Sequence, residues 1–275
     1  MSIFQVIVLA LIQGLTEFLP VSSSAHLALA PWLLGWKDPG LDFDIALHFG
    51  TLLAVVVYFF RDWVQVLAQG FGLSIGHDPE LKRNRSLLWL MAAASVPVGV
   101  LGLKFKDYAE TALRSPWVIG TMMIAVAILM EFADRVGRKQ KGVEHIGLFD
   151  AMAIGLSQAL ALIPGTSRSG ITISTGLLRN LDRHAAARFS FLLSTPAVAG
   201  AAAKSFYDLY KAGGIAPDMR APFAVGIALS AVSGLAAIGF LMNYLRRASL
   251  RAFVIYRIVF GIIIFALAVF RLPAE

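Results

Sequence analysis

From Ala221 to Leu245 the chain carries no charged side chain. That run exceeds the ~20 apolar residues with which a helix crosses ~30 Å of hydrocarbon. No water is available there, so every backbone N–H and C=O must be satisfied inside the protein, and an unbroken apolar run achieves this as a helix. Five further segments are long enough or nearly so: 44–60, 86–104, 117–133, 186–203 and 253–270. Composition agrees. Of 275 residues, 58% are hydrophobic and only 15% charged, against about a quarter charged in a soluble domain. The expected fold class is all-α, a polytopic integral membrane protein with six transmembrane helices. The net charge of +7 comes from basic residues in short inter-helix loops, where they act as topology signals, so no nucleic-acid partner is expected. Without cysteine the chain has no disulfides and no thiolate metal sites. Met1–Gln5 lacks a positive n-region, so no cleavable signal peptide is expected.

Two more apolar stretches, 3–34 and 148–178, are interrupted in the same way. In the first, Gln13-Gly14-Leu15-Thr16-Glu17-Phe18-Leu19 runs into Pro20-Val21-Ser22-Ser23-Ser24-Ala25-His26; in the second, Gln158 to Ile163 runs into Pro164-Gly165-Thr166-Ser167-Arg168-Ser169-Gly170. Proline removes a donor and clashes with the preceding turn, so each helix stops there. Aligning Pro20 with Pro164 sets an offset of 144 and pairs Ser23 with Ser167. Only about ten apolar residues follow each break, too few to span, so each stretch is read as a re-entrant helix pair.

Charge supports that reading. With both pairs re-entrant and both termini outside, the inner loops hold 14 Lys and Arg and the outer loops 8, Arg114 among them. Letting each broken pair cross once gives 12 against 10, a weaker positive-inside bias. Each half then has one re-entrant pair and three crossings. Because three is odd, the halves are inverted: repeat 1 is 1–147 and repeat 2 is 148–275, within one membrane domain. One hairpin dips from each face, and the tips meet near the midplane.

Those tips hold residues that are costly in a membrane and usually functional. Arg168, beside hydroxyls and glycines at a helix start, suits an anion: guanidinium grips phosphate bidentately, and Gly165, Thr166, Ser167 and Ser169 add donors or let backbone N–H groups approach. Helix capping alone accounts for the hydroxyls but not for the arginine. Glu17 lies one helical turn after Gln13 and can orient a histidine or water, pair with Arg168, or hold a divalent cation with Gln13 nearby. His26 can exchange protons near neutral pH, and Ser22, Ser23 and Ser24 each offer a nucleophile or a phosphate contact. His48, His77, His145 and His184 read as background.

Gln13–His26 and Pro164–Gly170 resemble the two signature regions of the bacterial undecaprenyl-diphosphate phosphatases of the bacitracin-resistance type. Likeness continues at Phe189-Ser190-Phe191-Leu192-Leu193 and Tyr256-Arg257, and so covers essentially the whole chain. The resemblance implies that Glu17, Ser23, His26 and Arg168 are catalytic and that Ser22, Ser167 and Ser169 contact phosphate. It further implies removal of the terminal phosphate from undecaprenyl diphosphate, assisted by a divalent cation, Mg or Ca, in the bacterial plasma (inner) membrane. Gln13 stands where the family often has a carboxylate, leaving Glu17 as the only motif carboxylate. Attack by Ser23 with the proton going to His26 or Glu17, and direct attack by water, both remain open. So does a homodimer. The expected cavity opens to the outer face. A lipid-carrier transporter or flippase without hydrolysis is the main alternative, since inverted repeats with broken helices are its habitual architecture; an intramembrane serine protease would leave Arg168 without a role.

Overall fold

The computed structural model describes residues 1–271 except 38, 112, 114 and 212, so Arg114 lies outside the described residues. Among them the chain is helical, with one isolated bridge, between Lys141 and Leu181, and no strand. The helices are α1 (Ile3–Phe18), α2 (Ser23–Leu34), α3 (Leu41–Tyr58), α4 (Phe60–Gly70), α5 (Pro79–Arg83), α6 (Leu87–Thr111), α7 (Pro116–Val136), α8 (Leu148–Ala159), α9 (Arg168–Leu178), α10 (Arg183–Lys211), α11 (Arg220–Tyr244) and α12 (Arg251–Arg271).

Among the described residues four stretches, Leu87–Phe105, Pro116–Val136, Pro217–Tyr244 and Arg251–Phe270, are long and apolar enough to cross a membrane. A fifth counts if α3 and α4, bent by 74° at Phe59, are taken as one span. Phe149 and Phe270 expose more than four-fifths of their surface, as lipid-facing side chains do. This is a multi-pass membrane protein. α10, which contains the expected 186–203 segment, has 29 residues, ample for a crossing, but is more polar and is not among these stretches. The expected 44–60 segment runs past the bend at Phe59, so its last residue belongs to α4.

Both expected breaks are present, for the expected reason. α1 ends at Phe18, and Leu19 is extended (φ −65°, ψ 141°) ahead of Pro20. α8 continues through a 3₁₀ turn, Leu160–Leu162, after which Ile163 is extended (φ −81°, ψ 119°) ahead of Pro164. This is the conformation that a following proline imposes. The new helices start at Ser23 and Arg168 after N-caps Ser22 and Ser167, so at the caps the offset is 145, not 144. Gln13 and Gln158 obey the same 145. The second tip has one residue more between proline and cap, which pairs Ser23 with Arg168 rather than with Ser167.

Small residues set the packing. α1 lies on α11, and α8 on α6. Ala10 and Gly14 on α1, and Gly155 and Ala159 on α8, are buried and four apart at the same 145 offset. Helices approach closely in membranes through such pairs. α7 packs on α12 and α9, and α3 on α10 and α11. Outside the helical core, Arg188 bonds Asp62 (2.7 Å), Asp78 (2.8 Å) and Glu80 (3.4 Å), fastening the 72–85 loop to α10.

Candidate active site

The two tips meet. Glu17, Ser22, Ser23, Ser24, His48, Ala161, Ser167 and Arg168 line one cavity of about 100 Å³. Arg168, the first residue of α9, reaches back 2.9 Å to Glu17 Oε1 near the end of α1. Ser23 Oγ donates to Glu17 Oε2, and Gln13 Nε2 donates to the same oxygen at 3.1 Å. The carboxylate thus has partners from both hairpins, and all these side chains are largely buried. Ion pairs this deep persist only when hydrogen-bonded on every side. Here they are not quite: Gln13 Oε1, Arg168 Nη1 and Thr166 Oγ1 are buried without a hydrogen-bond partner. Arg168 lines the cavity, and a guanidinium nitrogen without a partner leaves it donor capacity for an incoming anion.

The tips are built alike. Ser22 (φ 72°, ψ 91°) and Ser167 (φ 68°, ψ 110°) both lie in a region that non-glycine residues rarely occupy, a local cost that persists only where surroundings enforce it. Their hydroxyls pair with Ser24 (3.1 Å) and Ser169 (3.2 Å). Contacts cross between tips: Gly165 N donates to Ser24 Oγ at 3.4 Å, and Ser169 Oγ to Leu19 O at 3.1 Å. Gly165 has φ +89°, and a Cβ there would stand 2.6 Å from Ile119 O, so no other residue fits that turn. Two helix N-termini, α2 and α9, therefore begin at one cavity, bringing two sets of backbone N–H groups and positive dipole ends to it. Ser167 spends its hydroxyl on capping Gly170 N, whereas Ser22 makes no such cap.

The histidines differ from the sequence expectation. The structure does not bring His26 into the cavity. Its Nδ1 donates to Ser22 O at 2.7 Å, its Nε2 accepts from the Tyr256 hydroxyl at 2.6 Å, and its ring stacks on Phe260. His48, read from sequence as background, lines the cavity instead. Its Nδ1 donates to Asp44 O at 2.7 Å, which turns Nε2 toward Glu17 Oε2, 3.5 Å away. No short motif marks His48. Its position one turn before Thr51, on the α3 face against α1, could have been found only by knowing which helices pack together. Thr166 and Ser169 are fully buried behind the cavity wall.

For a divalent cation the donor set is thin. Among the described residues Glu17 is the only carboxylate lining the cavity, and its oxygens are taken by Arg168, Ser23 and Gln13. Among the described residues no group of three or more His, Asp or Glu side chains is placed to hold a metal. These residues do not form a cation site by themselves.

A narrow cleft adjoins the cavity, bounded by Glu17, Phe18, Thr51, Leu52, Val55, Arg168, Ser194 and Val198. It runs between α1, α3 and α10, polar at the Glu17–Arg168 end and apolar along its sides.

Comparison with known proteins places the chain. Residues 6–263 match the family described as Bacitracin resistance protein BacA. A protein named undecaprenyl-diphosphatase from Desulforudis audaxviator is 47% identical over 98% of this chain and 100% of its own length. Proteins of the same name from Moorella thermoacetica and Gemmatimonas aurantiaca are each 46% identical over 97% of this chain and 98% of their own.

Proposed function

The chain belongs to the bacitracin resistance protein BacA family, and from that premise we propose that it hydrolyses undecaprenyl diphosphate to undecaprenyl phosphate and inorganic phosphate. Such a reaction recycles the lipid carrier of envelope polysaccharide synthesis and, by depleting the diphosphate, confers bacitracin resistance. The observation that carries the reading is the meeting of Ser23, Glu17 and Arg168, from opposite hairpins, in one polar cavity.

The terminal phosphate sits in the cavity against Arg168, Ser22, Ser24 and the N-termini of α2 and α9. The first carbons of the tail lie in the adjoining cleft against Leu52, Val55 and Val198. Ser23 Oγ attacks the terminal phosphorus as its proton passes to Glu17, to which it is already hydrogen-bonded. The anhydride P–O bond breaks, and undecaprenyl phosphate leaves with the bonding pair. Arg168, freed from Glu17, compensates charge on the non-bridging oxygens. Water then displaces phosphate from Ser23, and Glu17 returns the proton to the serine. The existing Ser23–Glu17 bond favours this route over direct attack by water. His48 stands beside Glu17, while His26 holds the Ser22 cap and acts as a positioning residue.

Mg or Ca enters this reading as a companion of the substrate's diphosphate, not as a resident of the protein. The reading also takes six crossings with 3–34 and 148–178 re-entrant, the halves inverted, both termini outside and the cavity facing outward in the plasma membrane. The matched breaks at offset 145, and the exchange in which α1 packs on α11 and α8 on α6, support that arrangement. The test is phosphate release from undecaprenyl diphosphate by the purified protein in detergent, with and without a chelator. Release that the chelator suppresses is expected. A folded protein that binds the lipid and releases no phosphate would leave the transporter reading in its place.

A further inference from the structure

Among the described residues Arg257 is the largest fully buried side chain, 0% exposed, in the second turn of α12. Among the described residues no carboxylate bonds it. Its guanidinium donates instead to five backbone carbonyls: Pro20 O at 3.3 Å, Gly165 O at 2.9 Å, Thr166 O at 3.1 Å, Met122 O at 3.1 Å and Met123 O at 3.1 Å. Pro20 and Gly165 occupy equivalent places in the two tips at the 145 offset, and the methionines belong to α7, the partner of α12. A single cation thus gathers the same carbonyl from both hairpins and fastens both to the α7–α12 pair.

We infer that Arg257 is a positioning residue that clamps the two hairpin tips in register and thereby aims Ser23, Glu17 and Arg168 at one phosphorus. The inference rests on the phosphatase reading and deepens it. Taking a guanidinium out of water is costly, and a fold that needed only bulk at this position would use an apolar side chain. The geometry says what the charge is for. In a trans peptide C=O and N–H point in opposite directions, so holding Thr166 O fixes the orientation of the peptide that enters Ser167. Ser167 then takes its costly positive φ, and Arg168 leaves α9 toward Glu17. Pro20 O stands likewise two residues before Ser22, the other strained cap. Strain of this kind lasts only where neighbours over-determine the backbone, and among the described residues Arg257 is the one side chain bonded to the backbone of both tips. Lysine cannot take its place, since three donors on one nitrogen cannot span carbonyls from three segments.

The test compares wild type with Arg257→Lys and Arg257→Met in detergent. It measures steady-state phosphate release, thermal unfolding, and hydrogen exchange of the peptides covering 19–26 and 164–170. The methionine variant carries no buried charge and keeps the protein folded if lysine does not. Expected are a kcat lowered at least tenfold, a KM for the lipid diphosphate within about threefold, and faster exchange at both tips with the rest of the helices unchanged. A folded variant with kcat within twofold of wild type overturns the inference. So does a lost kcat with unaltered exchange at the tips, or an effect on KM alone. Wild type that releases no phosphate would instead remove the phosphatase reading. The clamp would then stand or fall on hydrogen exchange, which needs no turnover.

Discussion

Arg168 presents one nitrogen to Glu17 and keeps another, Nη1, without a partner, so its planar two-pronged geometry matters and not only its charge. Arg168→Lys is expected to retain less than about a tenth of wild-type phosphate release, a barrier change of roughly 1.4 kcal/mol; steady-state kinetics at matched Tm decides it. The two histidines separate by their surroundings. His48→Ala should lower kcat at unchanged Tm, because Nε2 faces the cavity, the side chain is one-third exposed, and its Nδ1 bond, to Asp44 O, lies within α3. His26→Ala should lower activity and Tm together, because the ring holds Ser22 O, Tyr256 and Phe260. Equal Tm for both variants with activity lost only in His26→Ala would restore His26 to the chemistry. At this scale Glu17, Ser23 and Arg168 were legible because a carboxylate, hydroxyls and an arginine beside proline breaks are hard to explain otherwise. His48 was not, since it sits on an unbroken helix and its role depends on α3 lying against α1.

Proline made the short helices legible: Pro20 and Pro164 fixed both breaks to within a residue. What sequence alignment on those prolines missed was the extra residue in the second tip, visible only from which serine adopts positive φ. The packing depends on missing side chains. A Cβ on Gly14 would meet Ser233 Oγ at 1.9 Å and Ser230 O at 2.7 Å, and one on Gly155 would meet Ala94 O at 2.1 Å. Backbone atoms cannot swing away, so Gly14→Ala and Gly155→Ala should each destabilise by ~1–3 kcal/mol through overpacking. Gly99→Ala, with nothing within 4 Å of its Cβ, should be neutral or slightly stabilising because alanine favours helix. Thermal unfolding of the three variants side by side would refute the packing account if all behaved alike.

Across the whole molecule, hydrophobic runs made the helical membrane class plain, and most helix ends fell within about three residues of the expected segments, while α6 and α10 run on past the expected 104 and 203 to Thr111 and Lys211, where polar residues end the apolar run but not the helix. Sidedness is a different kind of property, carried by a modest difference in loop charges rather than by any contact. The cysteine-free chain makes it measurable. Lys37→Cys should react with a membrane-impermeant thiol reagent in intact cells and Lys139→Cys should not; labelling of 139 alone would turn the cavity toward the cytoplasm.

The bond between Arg168 and Glu17 bears on how the proposed cycle ends. Arg168 already holds a carboxylate, Glu17, in the resting protein, so an arriving anion gains only the difference between two ionic partners. Free phosphate, small and with no apolar tail, competes poorly for that guanidinium. A lipid diphosphate brings extra charge and an anchor in the adjoining cleft, and it can win. In the proposed cycle, once water has released phosphate from Ser23, Glu17 displaces it by retaking its place on Arg168. The cavity would thus reset itself, and accumulating inorganic phosphate should inhibit it weakly.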